Sequence, residues 1–530
     1  MLSRAGAVYK LMLKRKIDKM NRRGFLKSAG ISAVAISTAF TLKSAFSQEK
    51  NASKLAGKKP NILFCFADDW SFPHAGAYGD KGIKTPVFDK VAADGVLFER
   101  AHVAAPSCAP SRAAVLSGQY PWRLREAASL WSLFPKDIPV YPELLEKSGY
   151  FTGFTRKGWG PGNWKKSGRP HNPAGREYKN FARFLKSRPA SKPFCFWFGS
   201  KDPHRPYNKN IGKKQGVDPK KVSVPHCLPD LPEIREDIAN YYGEIQRFDF
   251  EVGRLLKQLE RIGELENTLV VVSSDNGMPH MRCKSTLYDM GTHVPLAIRW
   301  GKNISKPGRR VNDFVSLIDL APTFLQAAGV KVPAVMTGKS LLNILESDRS
   351  GMVDKTRDAV FTHKERHAAG RVKNVGYPCR AIQVDGYHYI INFKPDRWPM
   401  GDPKPSALSN WRMYRDIDVG PSKDFLINNR SKPGVKKLFD LAVSKNPAEE
   451  LYDMKKDPGM LENVASDPAY AKIKSRLRKR LLSKLKQTGD PRVLGKGDAF
   501  DKYPYTAPYF ENRHKWNKPK LNYKIPKHLQ

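Results

Sequence analysis

Three short apolar runs stand out in the first half of the chain: Asn61-Ile62-Leu63-Phe64-Cys65-Phe66-Ala67, Pro193-Phe194-Cys195-Phe196-Trp197-Phe198 and Thr268-Leu269-Val270-Val271-Val272-Ser273. None alternates with polar residues, which is the pattern of strands buried on both faces. Tyr150 to Thr155 is a further aromatic, strand-like piece. Between the runs, apolar residues recur at helical spacing with charges opposite, most extensively from Ile234 to Ile262. Strands alternating with helices predict an α/β fold with a large, mostly parallel sheet flanked by helices. Such sheets bind ligands beyond the carboxyl ends of their strands. Each run ends in polar residues, Asp68-Asp69, Lys201-Asp202-Pro203-His204 and Asp275-Asn276-Gly277, so the site is expected where these ends converge.

After about residue 355 the texture changes to shorter alternating pieces such as Tyr387 to Asn392, then loops, then a basic helix around Pro468 to Gln487. The expected organisation is an α/β catalytic domain over 49–355, a smaller C-terminal α+β domain over 356–490, and a basic tail over 491–530. The tail is rich in Pro, Tyr, Asn and Lys and has no periodicity, which fits either an ordered strap or disordered chain.

At the other end, Arg22-Arg23-Gly24-Phe25-Leu26-Lys27, the apolar run Ile31 to Thr41 and Ala45-Phe46-Ser47 read as a twin-arginine export signal cut near Ser47. Residues 1–48 are therefore a signal region, the twin-arginine machinery is a partner, and the destination is the bacterial periplasm or the exterior. Eleven weakly apolar residues are too few for a stable anchor across a ~30 Å hydrocarbon core. The basic stretch Met1 to Lys19 is long for the start of a signal, which makes Met20 an alternative first residue.

Composition narrows the partner. A chain of 530 residues, 40% hydrophobic and with a mean hydropathy of −0.54, has ample core for one large or two moderate domains. The formal charge is +42, and residues 1–48 hold ten Lys/Arg and one Asp, so nine of those charges lie in the signal and 33 beyond it. A field of that sign attracts polyanions. No RNP, zinc-finger or helix-turn-helix signature is visible, so nucleic acid is not the expected partner. A membrane surface and a sulfated polysaccharide are the other candidates, and export favours the polysaccharide over nucleic acid. The six cysteines are widely scattered and lack any C-x-x-C pair, so neither a zinc site nor a disulfide scaffold is indicated.

The chemistry centres on Cys108-Ala109-Pro110-Ser111-Arg112, followed by Ala113-Ala114-Val115-Leu116-Ser117-Gly118. This order sets Cys108 at the mouth of a helix, with Arg112 one turn on along the same face. First-turn N–H groups and the helix dipole favour negative charge there, and Arg112 offers a fork to a tetrahedral oxyanion. Asp68-Asp69 and Asp275-Asn276 are hard oxygen donors suited to Ca²⁺ or Mg²⁺. Adjacent carboxylates repel unless a cation lies between them.

Cys108 to Arg112 with Ser117-Gly118 resembles the Cys-X-Pro-Ser-Arg signature of the type I sulfatases of the alkaline-phosphatase-like superfamily. Glu449-Glu450-Leu451-Tyr452-Asp453 with Lys456-Asp457-Pro458 resembles that family's closing motif, so the likeness runs from about 60 to about 490. It implies that a formylglycine-generating or sulfatase-maturating enzyme oxidises Cys108 to Cα-formylglycine (3-oxoalanine), whose hydrate attacks sulfur. It further implies one Ca²⁺ held by Asp68, Asp69, Asp275 and Asn276 and touching residue 108. Lys157, in Thr155-Arg156-Lys157-Gly158-Trp159-Gly160, resembles the family's Gly-Lys-x-His element, and Lys284 matches the later sulfate-binding lysine. His204 matches the histidine that contacts the ester region, and the resemblance implies that it or a lysine protonates the leaving oxygen. Arg112, Lys157, His204 and Lys284 would together hold the sulfate.

One departure stands out. The family has a histidine two residues after the lysine matched by Lys157, and here Trp159 stands there, which makes His171 or His102 the candidates for its role. Lys201 also replaces a common histidine, and Asp202-Pro203-His204-Arg205 looks similar to the sulfamidase-like branch, which includes heparan N-sulfatases. The expected protein is an exported sulfuric-ester hydrolase acting on a sulfated glycan. Its rivals are a phosphonate monoester or phosphodiester hydrolase carrying the same motif, and a sulfated-glycan-binding protein without turnover.

Overall fold

The three apolar runs lie side by side at the centre of a seven-stranded sheet in the computed structural model, which describes residues 59–407, 409–511 and 521–529. In chain order the strands are β1 (Asn61–Ala67), β2 (Val96–Phe98), β3 (Ala101–His102), β4 (Phe151–Arg156), β5 (Phe194–Gly199), β6 (Thr268–Ser274), β7 (Leu296–Arg299), β8 (Arg309–Val311) and β9 (Val315–Ser316). The main sheet runs β4-β5-β1-β6-β7-β2-β8, and β3 pairs separately with β9. β4, β5, β1 and β6 are mutually parallel, and only β7 is reversed. Every residue of β1, β5 and β6 is buried, as continuous apolar runs require. The predicted twin-arginine signal lies outside the described residues.

Between β5 and β6 the long helix Pro232–Arg261 covers one face of the sheet. Ile234, Ile238, Tyr241, Ile245, Phe248, Val252, Leu255 and Leu259 recur on its buried face at spacings of three and four. Full burial of each such side chain contributes on the order of 2 kcal/mol. Proline at its first position supplies a fixed φ and no unused N–H.

A second sheet is antiparallel, in the order β10 (Ala359–Lys364), β11 (Cys379–Val384), β12 (Tyr387–Asn392), β13 (Glu449–Asp453). The basic helix Ala471–Gln487 buries Leu477, Leu481 and Leu485, at i, i+4 and i+8. Leu287 and Tyr288, which follow β6 in the chain, share an apolar cluster with Tyr377, Ala381, Ile390 and Tyr452 of the second sheet and its flanks. The loop after β6 is thereby clamped against the C-terminal half. The described part of the tail is packed: Thr506 N–H donates to the Trp131 carbonyl at 2.6 Å, and Phe500 is buried. No helix among the described residues is long and apolar enough to cross a membrane.

The sheet positions the site by bringing its strand ends level. Ala67 pairs with Ser274, Phe66 with Gly199 and Gly199 with Arg156, so β4, β5, β1 and β6 all stop along one edge. Gly199 is required there, because a Cβ at that position would lie 1.7 Å from the Lys157 carbonyl oxygen.

Candidate active site

Cys108 begins the helix Cys108–Ser117, every residue of which is buried, and Gly118 ends it in the left-handed conformation at φ 62°. Ligand atoms of Asp68, Asp69, Cys108 and Asp275 all lie within 4.8 Å of one another. Asn276 Nδ2 donates to Asp69 Oδ1 at 2.7 Å, while its Oδ1 is buried without a hydrogen-bond partner. Lys157 Nζ lies 2.5 Å from Asp68 Oδ2 and Lys284 Nζ 2.8 Å from Asp69 Oδ2. Cys108, Lys157, His204 and Lys284 line a cavity of about 930 Å³.

Left-handed residues aim these side chains. Asp69 itself has φ 82°, Arg156 precedes Lys157 at φ 63°, and Arg282 and Ser285 bracket Lys284 at φ 62° and 65°. Such conformations are costly outside glycine and concentrate at sites where geometry is over-determined. Around Lys284, the Arg282 guanidinium lies 3.7 Å from the Tyr288 ring, and Ser285 N–H donates to the Pro106 carbonyl at 2.8 Å.

Burial opposes ionisation of Asp68, but Lys157, His204, Arg112 and Lys284 outweigh it and hold the carboxyl well below the usual range. Asp275 goes the other way: burial, aided by Asp68 and Asp69, pushes it up to about 6 against Arg112 and Lys157. Burial also pushes the Cys108 thiol well up, despite Lys157 and Lys284. As a plain thiol it is a poor nucleophile at neutral pH. Buried carboxylates crowded around an unpartnered amide oxygen fit a hard divalent cation such as Ca²⁺.

Arg112 sits differently from the sequence expectation. Its Nε donates to Asp275 Oδ2 at 2.7 Å, and NH1 donates to the Lys157 carbonyl at 2.8 Å. It is fully buried and outside the cavity wall, so its fork is committed to a carboxylate and a strand-end carbonyl rather than to an incoming anion. Of the two histidines considered in place of Trp159, His171 lines the cavity, whereas His102 lies in β3 stacked on His293, with ring centroids 4.4 Å apart. Trp159 is buried, donating from Nε1 to the Ala109 carbonyl at 3.0 Å.

Two residues of this cavity were not legible in the sequence. Asp418 Oδ2 lies 2.9 Å from Lys284 Nζ and forms a cluster with Asp69 and His204. His367 lines the cavity with its Nδ1 2.7 Å from Ser107 Oγ, beside Cys108. Neither belongs to a motif with spacing that could have flagged it.

A parallel sheet whose strand ends gather carboxylates, lysines and a helix-mouth cysteine, with its solved neighbours, defines an alkaline-phosphatase-like enzyme fold. The chain belongs to the sulfatase family: residues 60–330 match the family described as Sulfatase, and residues 281–418 match N-sulphoglucosamine sulphohydrolase, C-terminal. It is 30% identical to an ulvan-active sulfatase of Formosa agariphila over 83% of this chain and 82% of that one. It is 29% identical to the human N-sulphoglucosamine sulphohydrolase over 82% and 91%. A solved structure in complex with its substrate D-glucosamine-2-N,6-O-disulfate superposes with a TM-score of 0.58, at 21% identity over 82% and 99%. A phosphonate monoester hydrolase from Silicibacter pomeroyi reaches 0.60 at 18% identity over 82% and 96%, so the fold alone does not select the ester.

Proposed function

We propose that this sulfatase removes sulfate from a sulfated carbohydrate outside the cytoplasm, with residue 108 as nucleophile after oxidation of Cys108 to Cα-formylglycine. The observation that carries the reading is the convergence of Asp68, Asp69, Cys108 and Asp275 at a cavity flanked by Lys157 and Lys284. The relatives named for ulvan and for N-sulphoglucosamine favour a glycan over an aryl or phosphonate substrate. The oxidised residue supplies an aldehyde hydrate, one hydroxyl taking the sulfuryl group and the other available to release it. Asp68, Asp69, Asp275 and Asn276 would hold Ca²⁺, which supplies charge stabilisation at the sulfate oxygens.

This chain's own groups then divide the work. Lys157 and Lys284 neutralise sulfate oxygens. His204, within the Asp69 and Asp418 cluster, protonates the leaving oxygen. Arg112 acts through Asp275 and the Lys157 backbone, as a positioning residue. His367 takes the proton that a histidine at position 159 would otherwise accept. Its Nδ1 lies 2.7 Å from Ser107 Oγ, and burial pulls its pKa down to about 4, so the ring is neutral at pH 7 and is a weak base that holds the proton only transiently.

The test combines the mass of the peptide bearing Cys108 with sulfate release from sulfated oligosaccharides. An aldehyde at residue 108, release by the wild type and none by Cys108→Ala are expected. An unmodified thiol in active protein refutes the nucleophile. Faster turnover of phenylphosphonate than of any sulfate ester refutes the substrate class.

A further inference from the structure

The basic helix Ala471–Gln487 carries eight Lys or Arg and no acidic residue, and nothing in the catalytic cavity uses them. A second cavity of about 550 Å³ opens between this helix and β10, sharing no wall residue with the first. Arg476, Lys479, Arg480 and Lys484 line it from the helix, and Lys339 from the opposite side. Its two carboxylates are already taken: Asp319 pairs with Arg357 at 2.7 Å, and Asp358 with Arg480. Among the described residues, Lys339, Arg476, Lys479 and Lys484 make no ion pair. Lys484 Nζ instead lies over Phe361 and Tyr120, at 5.4 and 5.9 Å from the ring centres.

Four cations that make no ion pair around one groove raise one another's energy, and the shift at Lys484 is in the same direction. Burial lowers its pKa, and Lys339 and Arg480 lower it further, outweighing the opposing pull of Asp319. A row of anions would relieve that repulsion. We propose that this groove is a second binding site, for a sulfated polysaccharide chain, separate from the catalytic cavity. The inference rests on the sulfated-glycan reading above. Single-stranded nucleic acid would need aromatic faces for its bases to stack on, and here Tyr120 and Phe361 are both buried, at 7% and 5% exposure. The groove therefore offers charge without a stacking platform, which suits a polyanion that has no bases. Binding there would hold a polymer on the enzyme while individual sulfate esters enter the catalytic cavity.

The test compares Arg476→Glu/Lys479→Glu with Arg254→Glu/Lys257→Glu, an equal charge change at exposed positions of the long helix. Binding of dextran sulfate is measured across a salt series, with a single-stranded DNA of equal charge as a second probe. The groove variant is expected to bind dextran sulfate at least tenfold more weakly, with a salt slope shallower by about one to two. The long-helix variant should stay within about threefold of wild type. Hydrolysis of a small monosulfated sugar should be unchanged in both, which separates failure of this site from failure of the catalytic reading. Equal losses in the two variants, no loss in the groove variant, or DNA bound as tightly as dextran sulfate would overturn the proposal.

Discussion

Lys284 Nζ lies 2.9 Å from Asp418 Oδ2, joining a lysine that follows β6 to a carboxylate contributed by the C-terminal half of the chain. The same ammonium also contacts Asp69, so its position depends on both halves. Replacing Asp418 with Asn removes one charge-assisted contact, of about 1.5–3 kcal/mol. The expected result is a loss of roughly 10- to 100-fold in kcat/KM for sulfate release, accompanied by a lower melting temperature, with Asp418→Glu restoring much of both. Unchanged kinetics would remove Asp418 from the positioning of Lys284.

His367→Gln keeps a polar side chain next to Ser107 but cannot accept a proton. It should lower kcat by about 100-fold or more while KM changes little, and the acidic limb of the pH–rate profile should move. Ser107→Ala should cost less, since it loosens the ring without deleting it. A pH profile identical to wild type in His367→Gln would assign the proton transfer elsewhere, with His171 the remaining histidine considered for that role.

Arg112 is buried against Asp275, so Arg112→Ala leaves a buried carboxylate without its cation. A loss of about 3–5 kcal/mol in folding stability is expected, read as a lower urea midpoint. A stable Arg112→Ala protein with only a raised KM would instead return Arg112 to direct sulfate contact.

Calcium binding by Asp68, Asp69, Asp275 and Asn276 should raise the melting temperature, because a ligand at 100 times its Kd adds about 2.7 kcal/mol. Chelation should reverse the rise, and Asp68→Asn should abolish it. The absence of any calcium-dependent shift in the wild type would contradict the assignment.

Four buried histidines set the acid limit of stability. Burial lowers His102 and His363 well below the usual value and brings His367 and His388 down to about 4. The unfolded chain, with imidazoles near 6.5, takes up protons first as pH falls. The stability they contribute is therefore complete above about pH 6.5 and lost as pH drops below it, by roughly 3 kcal/mol for each of His367 and His388 by pH 4. Urea midpoints measured between pH 7.5 and 4.5 should fall steeply, and a flat profile would refute the neutral, buried state of these rings.

How much of this was legible in the sequence follows from which forces act locally. Short continuous apolar runs rich in β-branched and aromatic residues and bounded by polar turns have the pattern of strands buried on both faces, so β1, β5 and β6 and the convergence of their polar ends were readable from residue order, as was the helix mouth at Cys108. That Asp68, Asp69, Asp275, Asn276, Lys157, His204 and Lys284 gather in one place was readable because each follows a strand or a recognisable motif. The inward turn of Arg112 was not, since its partners are an aspartate more than 160 residues away and a carbonyl at the end of β4. Asp418 and His367 lie in loops without periodicity, and they reach the cavity through packing between remote segments, with Met413, Tyr414 and Ile417 in the main core and Leu287 and Tyr288 against the second sheet. The sequence by itself determined the strands, the helix that opens at Cys108 and the polar residues at the strand ends, because local pattern encodes them. The tertiary structure alone decided which charges pair, which histidine faces the cavity and which cations remain uncompensated, because those outcomes depend on through-space distances between segments remote in the chain.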